Sequence, residues 1–515
     1  MLRYWISLLL TVASCFAIPK NSTRRELQRL VRLPKVEFGK PLEFEHNFGF
    51  IAFQDGNTAA LEAGRLLKNA KGLPDQAPLY LEAARLYDSQ GDSAQALAHY
   101  SRAIDLFRRR AEMAPREVPT LAGLGEALAA IGRFAEAQSA LDRTDELGTP
   151  TAELLLARAR LYRERAWFSA AGEAQRYSSG PFLSQLVSVA IAGPAPTRVE
   201  ESRRYLRLAE RAIEQAFEAG TDKNKEERLL ERAAFRSLRR ALDLAFTQIQ
   251  NEDIRPRALE VSLLDSAALK DLSDAAAISE NPAVITAAAL AANLAAERIE
   301  GSGRSADSYV RRMATQLQEI ADSDGENSAA AAEYLGGIQF HILRDIAGAR
   351  RTLGHAIAIE PARHRAWEML VLAAAFESAE RFVEAAEARV AALPQPRSSV
   401  LLVKSYDMDG DLTRAEWTAL NAVNSYPNDL LANLALAAVL LKDDDVENYL
   451  WRIEEALNKA EKAVGVGRNH QNRLDFVLLK GIYLGLSDRS DQAKALIEST
   501  RPSSPELQDV LRALE

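Results

Sequence analysis

The sequence predicts an all-α fold, an α-α superhelix made by stacking pairs of antiparallel helices. Three observations predict it. Apolar residues recur three and four positions apart over nearly every long segment, and alternating strand patterns are few. Small alanines return inside the second of two successive helical stretches, at Ala63, Ala96, Ala137 and Ala171, in steps of 33, 41 and 34 residues. A period in that range marks units that bury their apolar faces only by stacking on neighbours. Short turns part the stretches, often with glycine, as at Gly91-Asp92 and Gly132-Arg133-Phe134.

Composition bounds the rest. The chain has 515 residues, 47% hydrophobic and 26% charged, enough apolar material for a large core. The net charge of −8 argues against nucleic acid as a partner of the whole chain. One cysteine excludes an intrachain disulfide and a thiolate zinc cluster, and the six histidines are scattered.

The first residues read as an address. Arg3 precedes a short apolar run to Val12, then small residues and Cys15, the layout of a secretory signal. The run is too short to span a bilayer, which takes about 20 apolar residues. Val12-Ala13-Ser14-Cys15 resembles a bacterial lipobox, which implies a lipid on Cys15 and a membrane anchor. A cut after Ala17, giving a soluble exported chain, is the rival reading, and a cytosolic chain with an apolar N-terminal helix is the third. Residues 16–40 hold seven basic and two acidic groups, and residues 41–515 carry −14. Behind a lipid, such a basic tether favours anionic headgroups. The expected organisation is a signal over 1–15, a basic tether and cap over 16–43, an N-terminal array over 44–180, an irregular helical region over 181–326 and a C-terminal array over 327–515. The Phe-rich residues 36–57 are expected to form a capping helix that shields the open end of the array.

The clearest repeat is Val118 to Leu147. Leu121, Leu124, Gly125 and Leu128 share one helical stripe, and Ala137, Leu141 and Thr144 form the facing stripe. Gly125 and Ala137 supply the small residues that close packing of two helices needs. Tyr80, Ala84, Tyr87, Gly91, Ala96, Tyr100 and Ala103 make an earlier unit, and Ala159, Tyr162, Phe168 and Ala171 a later, weaker one. Gly337, Phe340, Ala349, Leu353, Ala356 and Pro361 repeat the pattern, as do Tyr406, Gly410, Ala415, Ala422 and Pro427. Gly481, Leu484, Ala493 and Ile497 close the array. These residues and their spacing resemble the tetratricopeptide repeat over about 75–180 and 327–502. Between the arrays, Glu200–Gly220, Lys225–Gln250, Pro282–Gly301 and Ser302–Ala321 are helical in period but depart from the repeat.

Catalytic signatures are absent: no Walker loop, HExxH or GxSxG stands in the chain. Gly465-Val466-Gly467 lacks the third glycine of a dinucleotide fingerprint. Asp407-Met408-Asp409-Gly410-Asp411 starts like a calcium loop, but Leu412 and Thr418 stand where that loop needs glycine and glutamate, so it reads as an intra-repeat turn. Asp443-Asp444-Asp445 occupies the same kind of turn. His341, His355 and His364 lack the spacing of a helical metal pair. No cofactor or metal is expected, and the chain reads as a non-enzyme.

The resemblance implies a concave groove lined by the first helix of each pair. Carried over by register, the N-terminal groove shows Arg85, Glu126, Arg160 and Arg163, polar and mixed in charge. The C-terminal groove shows Tyr334, Ile338, Trp367, Leu370, Val400, Lys404, Leu434, Leu478 and Ile482, an apolar stripe. Exposed, that stripe would take an amphipathic helix or a peptide. Internal packing, a neighbouring segment or a second copy covering it is the alternative, and a register slip of one residue exchanges core for groove. The expected function is a non-catalytic interaction scaffold of the bacterial cell envelope, periplasmic or at the outer membrane, with unidentified protein partners. The alternatives are a SusD-like ligand-capture lipoprotein, which needs exposed aromatic platforms, an enzyme with its site in the middle helices, and a cytosolic adaptor.

Overall fold

A computed structural model describes residues 23–36, 44–47, 50–53, 63–68, 73, 75–89, 92–144, 148, 150–171, 196–246, 266–298, 303–464, 470–500 and 504–514. Cys15, the signal and the Gly465–Gly467 pair lie outside the described residues. The fold class is the expected one, helices stacked pairwise as an α-α solenoid. The chain forms two compact units: Gly39–Met369, and Met1–Phe38 together with Leu370–Glu515.

In chain order, a short helix, α1, covers residues 23–29, and the chain continues without regular structure to residue 36. Within residues 36–57 the chain forms a hairpin and not the expected capping helix. β1 (Phe44–Asn47) and β2 (Phe50–Phe53) pair antiparallel, with Asn47 opposite Phe50. Two four-residue runs parted by Phe48-Gly49 have the two-residue spacing, with glycine, of a tight hairpin. A short helix α2 covers residues 63–68.

The repeats follow as α3 (Ala77–Ser89) with α4 (Ser93–Met113), then α5 (Val118–Ala130) with α6 (Phe134–Asp142), then α7 (Ala152–Ala171). The Asp92 carboxylate accepts from the Gln95 N–H and starts α4. Gly132, at φ +81°, makes the turn between α5 and α6. Ala84, Ala96, Ala103, Ala127 and Ala137 are fully buried where helices approach. The middle is α8 (Pro196–Ala219), α9 (Lys225–Phe246), α10 (Ser266–Ala276), α11 (Pro282–Arg298) and α12 (Gly303–Ala321). The bounds of α8, α9, α11 and α12 fall within a few residues of the expected ones, and α10 is a helix that the sequence reading did not include. α8 packs along α7, burying Trp167, Tyr205, Leu206 and Phe235 in one cluster. α13 (Ser328–His341) and α14 (Ile346–Ile359) restore the pairing, and the unit boundary falls inside α15 (His364–Glu377).

The second unit contains α16 (Ala379–Ala392), α17 (Pro396–Asp409), α18 (Leu412–Ser425), α19 (Leu430–Lys442), α20 (Leu450–Val464), α21 (His470–Leu486), α22 (Ser490–Ser499) and α23 (Pro505–Leu514). Ser378, Asp411 and Asp429 cap α16, α18 and α19 by accepting from backbone N–H groups three residues on. Gly410, at φ +85°, ends α17 in the left-handed conformation. The acidic stretch at Asp407–Asp411 is therefore a helix stop followed by a helix cap, and Lys442 Nζ donates to both Asp407 carboxylate oxygens at 2.6 and 2.7 Å. α17, α19 and α21 are the first helices of successive pairs and lie side by side.

Candidate functional site

The Gly39–Met369 unit carries a polar ladder at the expected groove positions. Arg85, Glu126 and Arg160 are spaced 41 and 34 residues apart, the same steps as the packing alanines, so α3, α5 and α7 present them in line. Arg85 pairs with Glu126 and donates to Glu82 at 2.8 Å. The other Glu126 oxygen accepts from Arg160 Nη1 at 2.7 Å. Arg160 then reaches α9, donating to Glu227 at 2.7 Å and to Glu231 at 3.2 Å. Arg163 Nε stands 2.8 Å from Glu231 Oε1, an ion contact whose angle is not that of a hydrogen bond. The Glu231 and Arg163 side chains are 2% and 3% exposed, so this end of the ladder is out of water. The Arg160 charge holds the Glu227 carboxyl below its ordinary range, against the opposing effect of burial.

Sequence reasoning placed four members of this ladder together but missed Glu227 and Glu231, which come from the irregular middle. α9 is ionic on two sides. Arg232 donates through two nitrogens to the buried Asp271 of α10, at 3.0 and 2.6 Å, and Arg236 pairs with the same carboxylate. Opposite charges in the ladder face each other from helix to helix, so its chemistry is that of a clasp between helices. Beside it, Tyr162 stacks on Tyr205 and the Arg165 guanidinium lies 4.1 Å from the Tyr205 ring centroid.

The expected apolar stripe lies inside the helical packing. In the Gly39–Met369 unit, Tyr334, Ile338 and Trp367 are buried, and Trp367 Nε1 donates to the Pro361 carbonyl at 3.0 Å. In the other unit Leu370, Val400, Leu434, Leu478 and Ile482 are buried as well. Their apolar side chains serve the core and present no open stripe. Lys404 is the half-buried exception, and burial pulls its ammonium pKa down while Asp475 and Asp407 support the charge.

The same unit holds a peptide of its own chain. Residues 23–36 are seated on α19, α21 and α23, more than 400 residues away in sequence. Leu27 and Val31 are each 1% exposed and Val36 4%, and all three belong to one apolar cluster with Val400, Leu434, Leu478 and Ile482. Leu27 reaches the backbone at Gly485, where a Cβ would stand 2.9 Å from its Cδ1. Gln28 Nε2 donates to the Asp443 carbonyl at 2.8 Å, and Arg24 to Glu447 at 2.8 Å. The Lys35 backbone N–H donates to Asp475 Oδ2 at 2.7 Å. The segment expected as a basic tether and cap is thus docked on the helices over residues 23–36.

The histidines have separate surroundings. His355 Nε2 lies 3.2 Å from the Ala321 carbonyl. Burial first, then the charges of Arg365 and Arg344, pull the His341 imidazole down to about 4. His341 is therefore neutral in the fold, while the unfolded chain takes up a proton near pH 6.5. Its contribution is complete above pH 6.5 and is lost as pH falls towards 4. With the ring half-buried, we expect the Gly39–Met369 unit to lose about 2 kcal/mol from this group over that window. Urea unfolding at pH 7 and pH 4.5 measures it, and His341→Phe should remove that part of the slope.

Among the described residues, no group of three or more His, Cys, Asp or Glu could hold a metal ion, and no helix is long and apolar enough to cross a membrane. Two tryptophans lie away from the packing positions: Trp417 on α18 and Trp451 on α20 are exposed.

No family model matches the chain, and no curated protein matches it. Among solved structures, it is similar to yeast Tom70, at 15% identity over 89% of this chain and 94% of that chain, with a TM-score of 0.32. It is also similar to the APC/C hetero-tetramer Cut9–Hcn1, at 14% identity over 89% of this chain and 93% of that chain, with a TM-score of 0.28. At these values the neighbours' roles do not transfer.

Proposed function

We propose that this chain is a non-catalytic protein–protein interaction scaffold, exported and anchored in the bacterial envelope by a lipid on Cys15. One observation carries the scaffold reading: the Leu370–Glu515 helices hold a 14-residue peptide segment, residues 23–36, by apolar anchors and backbone hydrogen bonds. A stack of helices that seats one peptide in this way has the chemistry to seat another. The anchor reading rests on the lipobox-like Val12-Ala13-Ser14-Cys15. Eight Cα steps separate Cys15 from residue 23, about 28 Å at full extension. A lipid on Cys15 would thus hold the docked unit close to the bilayer surface.

Crosslinked co-purification of the full chain from the envelope fraction tests the scaffold. A stoichiometric protein partner is expected, and recovery of the chain alone overturns the reading. Fractionation tests the anchor separately: Cys15→Ala should move the chain from the membrane pellet to the soluble periplasm, and unchanged pelleting overturns it.

The exposed Trp417 and Trp451 favour a second reading, a ligand-capture lipoprotein that uses aromatic platforms. Titration with oligosaccharides, read by tryptophan emission, tests that.

A further inference from the structure

We propose that residues 23–36 are an exchangeable, self-occupying ligand of the Leu370–Glu515 unit, and that the site they fill takes basic amphipathic peptide segments of partner proteins. This rests on the scaffold reading and names the surface and the partner chemistry.

The segment has the build of a docked peptide. Its helix, residues 23–29, is two turns long, too short to persist alone in water. Pro34 removes a donor and keeps the following stretch out of the helix. Leu27 and Val31, four apart, face the unit from one side of the turn, and Val36 adds a third anchor. Its polar attachments go to groups that the repeat helices leave open. Gln28 serves the carbonyl of Asp443, at the C-terminal end of α19, and the Lys35 N–H serves the Asp475 carboxylate. Gly485 gives Leu27 its close approach to α21.

Charge sets the partner class. Residues 23–36 carry five basic groups and one acidic group. Three of the five face acidic ones: Arg24 pairs with Glu447, the Arg32 charge helps to hold the Glu506 carboxyl below its ordinary range, and Lys35 lies beside Asp475. A competing segment therefore needs apolar side chains at the spacing of Leu27, Val31 and Val36, with an arginine three residues before the first and further basic residues between them. Three apolar anchors and a few hydrogen bonds work against the ordering of fourteen residues, so the segment's intrinsic hold is weak and its attachment in cis maintains occupancy.

The test uses the purified full chain and a fluorescein-labelled synthetic peptide of residues 20–36, read by anisotropy. In a Leu27→Asp/Val31→Asp chain the resident segment is expelled, and the peptide should bind saturably. To the wild-type chain it should bind at least tenfold more weakly, because the resident segment competes. Binding should weaken between 50 and 500 mM salt, and a peptide carrying the same two substitutions should not bind. No binding to a folded variant, or equal binding to both chains, overturns the proposal. If circular dichroism shows the variant unfolded, amide exchange on the wild type decides. Exchange of residues 24–36 through a faster, separate opening than α17, α19 and α21 supports it, and one shared opening rate overturns it. Size-exclusion with light scattering adds an outcome: a dimer that dissociates when free peptide is added would place the segment in a second copy and overturn occupancy in cis. Because no cellular partner enters these measurements, their failure leaves the co-purification result independent.

Discussion

Replacing Glu231 by Gln is expected to cost the Gly39–Met369 unit about 3–5 kcal/mol. The reason lies in what remains. Arg163 is 3% exposed and its nearest carboxylate is Glu231, since the contact to Glu164 is 3.9 Å. Loss of the Glu231 charge leaves a guanidinium in the helix interface with neither water nor a close counter-ion. Arg160 loses one of three carboxylates and keeps Glu126 and Glu227, so its share of the cost is small. A different outcome is expected when both charges go. Arg163→Met with Glu231→Leu should be near neutral, because desolvating the pair offsets much of its attraction. The coupling between the two sites should therefore be several kcal/mol. Amide exchange of α7 and α9 is the right measure, because a chain of two units need not unfold in one step. A loss under about 1 kcal/mol for Glu231→Gln would place water at this joint.

The contrast between this ladder and the docked peptide shows what local sequence can express. Arg85, Glu126 and Arg160 were legible as one line because they keep the repeat period, and the period is carried by the chain itself. Glu227 and Glu231 were not, because α9 follows no repeat register and charged residues on a helix look alike whether solvated or clasped. Four of the middle helices are legible in extent from their apolar period and from breakers such as Gly220–Asn224, but α10 and the pairing through its Asp271 are not. The apolar stripe failed for a different reason. Val400, Leu434, Leu478 and Ile482 were placed by register, yet groove and core positions on a first helix differ by one residue, and apolar side chains suit both. Residues 23–36 look like a basic tether in the sequence because their basic residues dominate locally. Their Leu27–Val31 pair has meaning only beside α19 and α21, and no period links segments 400 residues apart. The hairpin at Phe44–Phe53 did carry a signal, the two-residue Phe48-Gly49 break, which its aromatic content obscured.

The small residues of the first helices allow the second large prediction, and their geometry orders three sites. A Cβ on Gly125 would stand 2.6 and 2.7 Å from Leu141 Cδ2 and Cγ, across the α5–α6 contact. On Gly336, neighbour of the Gly337 that the repeat pattern selects, it would stand 2.5 and 2.7 Å from Leu353 Cγ and Cδ2, across α13–α14. On Gly481 it would meet Ile497 Cδ1 at 3.0 Å, across α21–α22. Replacing glycine by alanine in a helix brings about 1 kcal/mol of intrinsic preference, and overpacking costs about 1–3 kcal/mol. The clash decides the sign. At Gly481 the obstacle is the far end of a flexible side chain, so alanine should be neutral within about 0.5 kcal/mol. At Gly125 and Gly336 it is the branch carbon of a leucine, which cannot retreat without moving the helix. Alanine there should cost about 1–2 kcal/mol, and valine 3 or more, through the added β-branch. Leu353→Ala alone opens a cavity and should cost about 2–5 kcal/mol. Joined to Gly336→Ala, it removes the clash and fills part of the cavity, so the double variant should be more stable than Leu353→Ala alone. Thermal unfolding of the four chains closes the cycle. A strictly additive result would mean that the α13–α14 helices already separate enough to admit a methyl group, and that the close approach is not what holds the pair together.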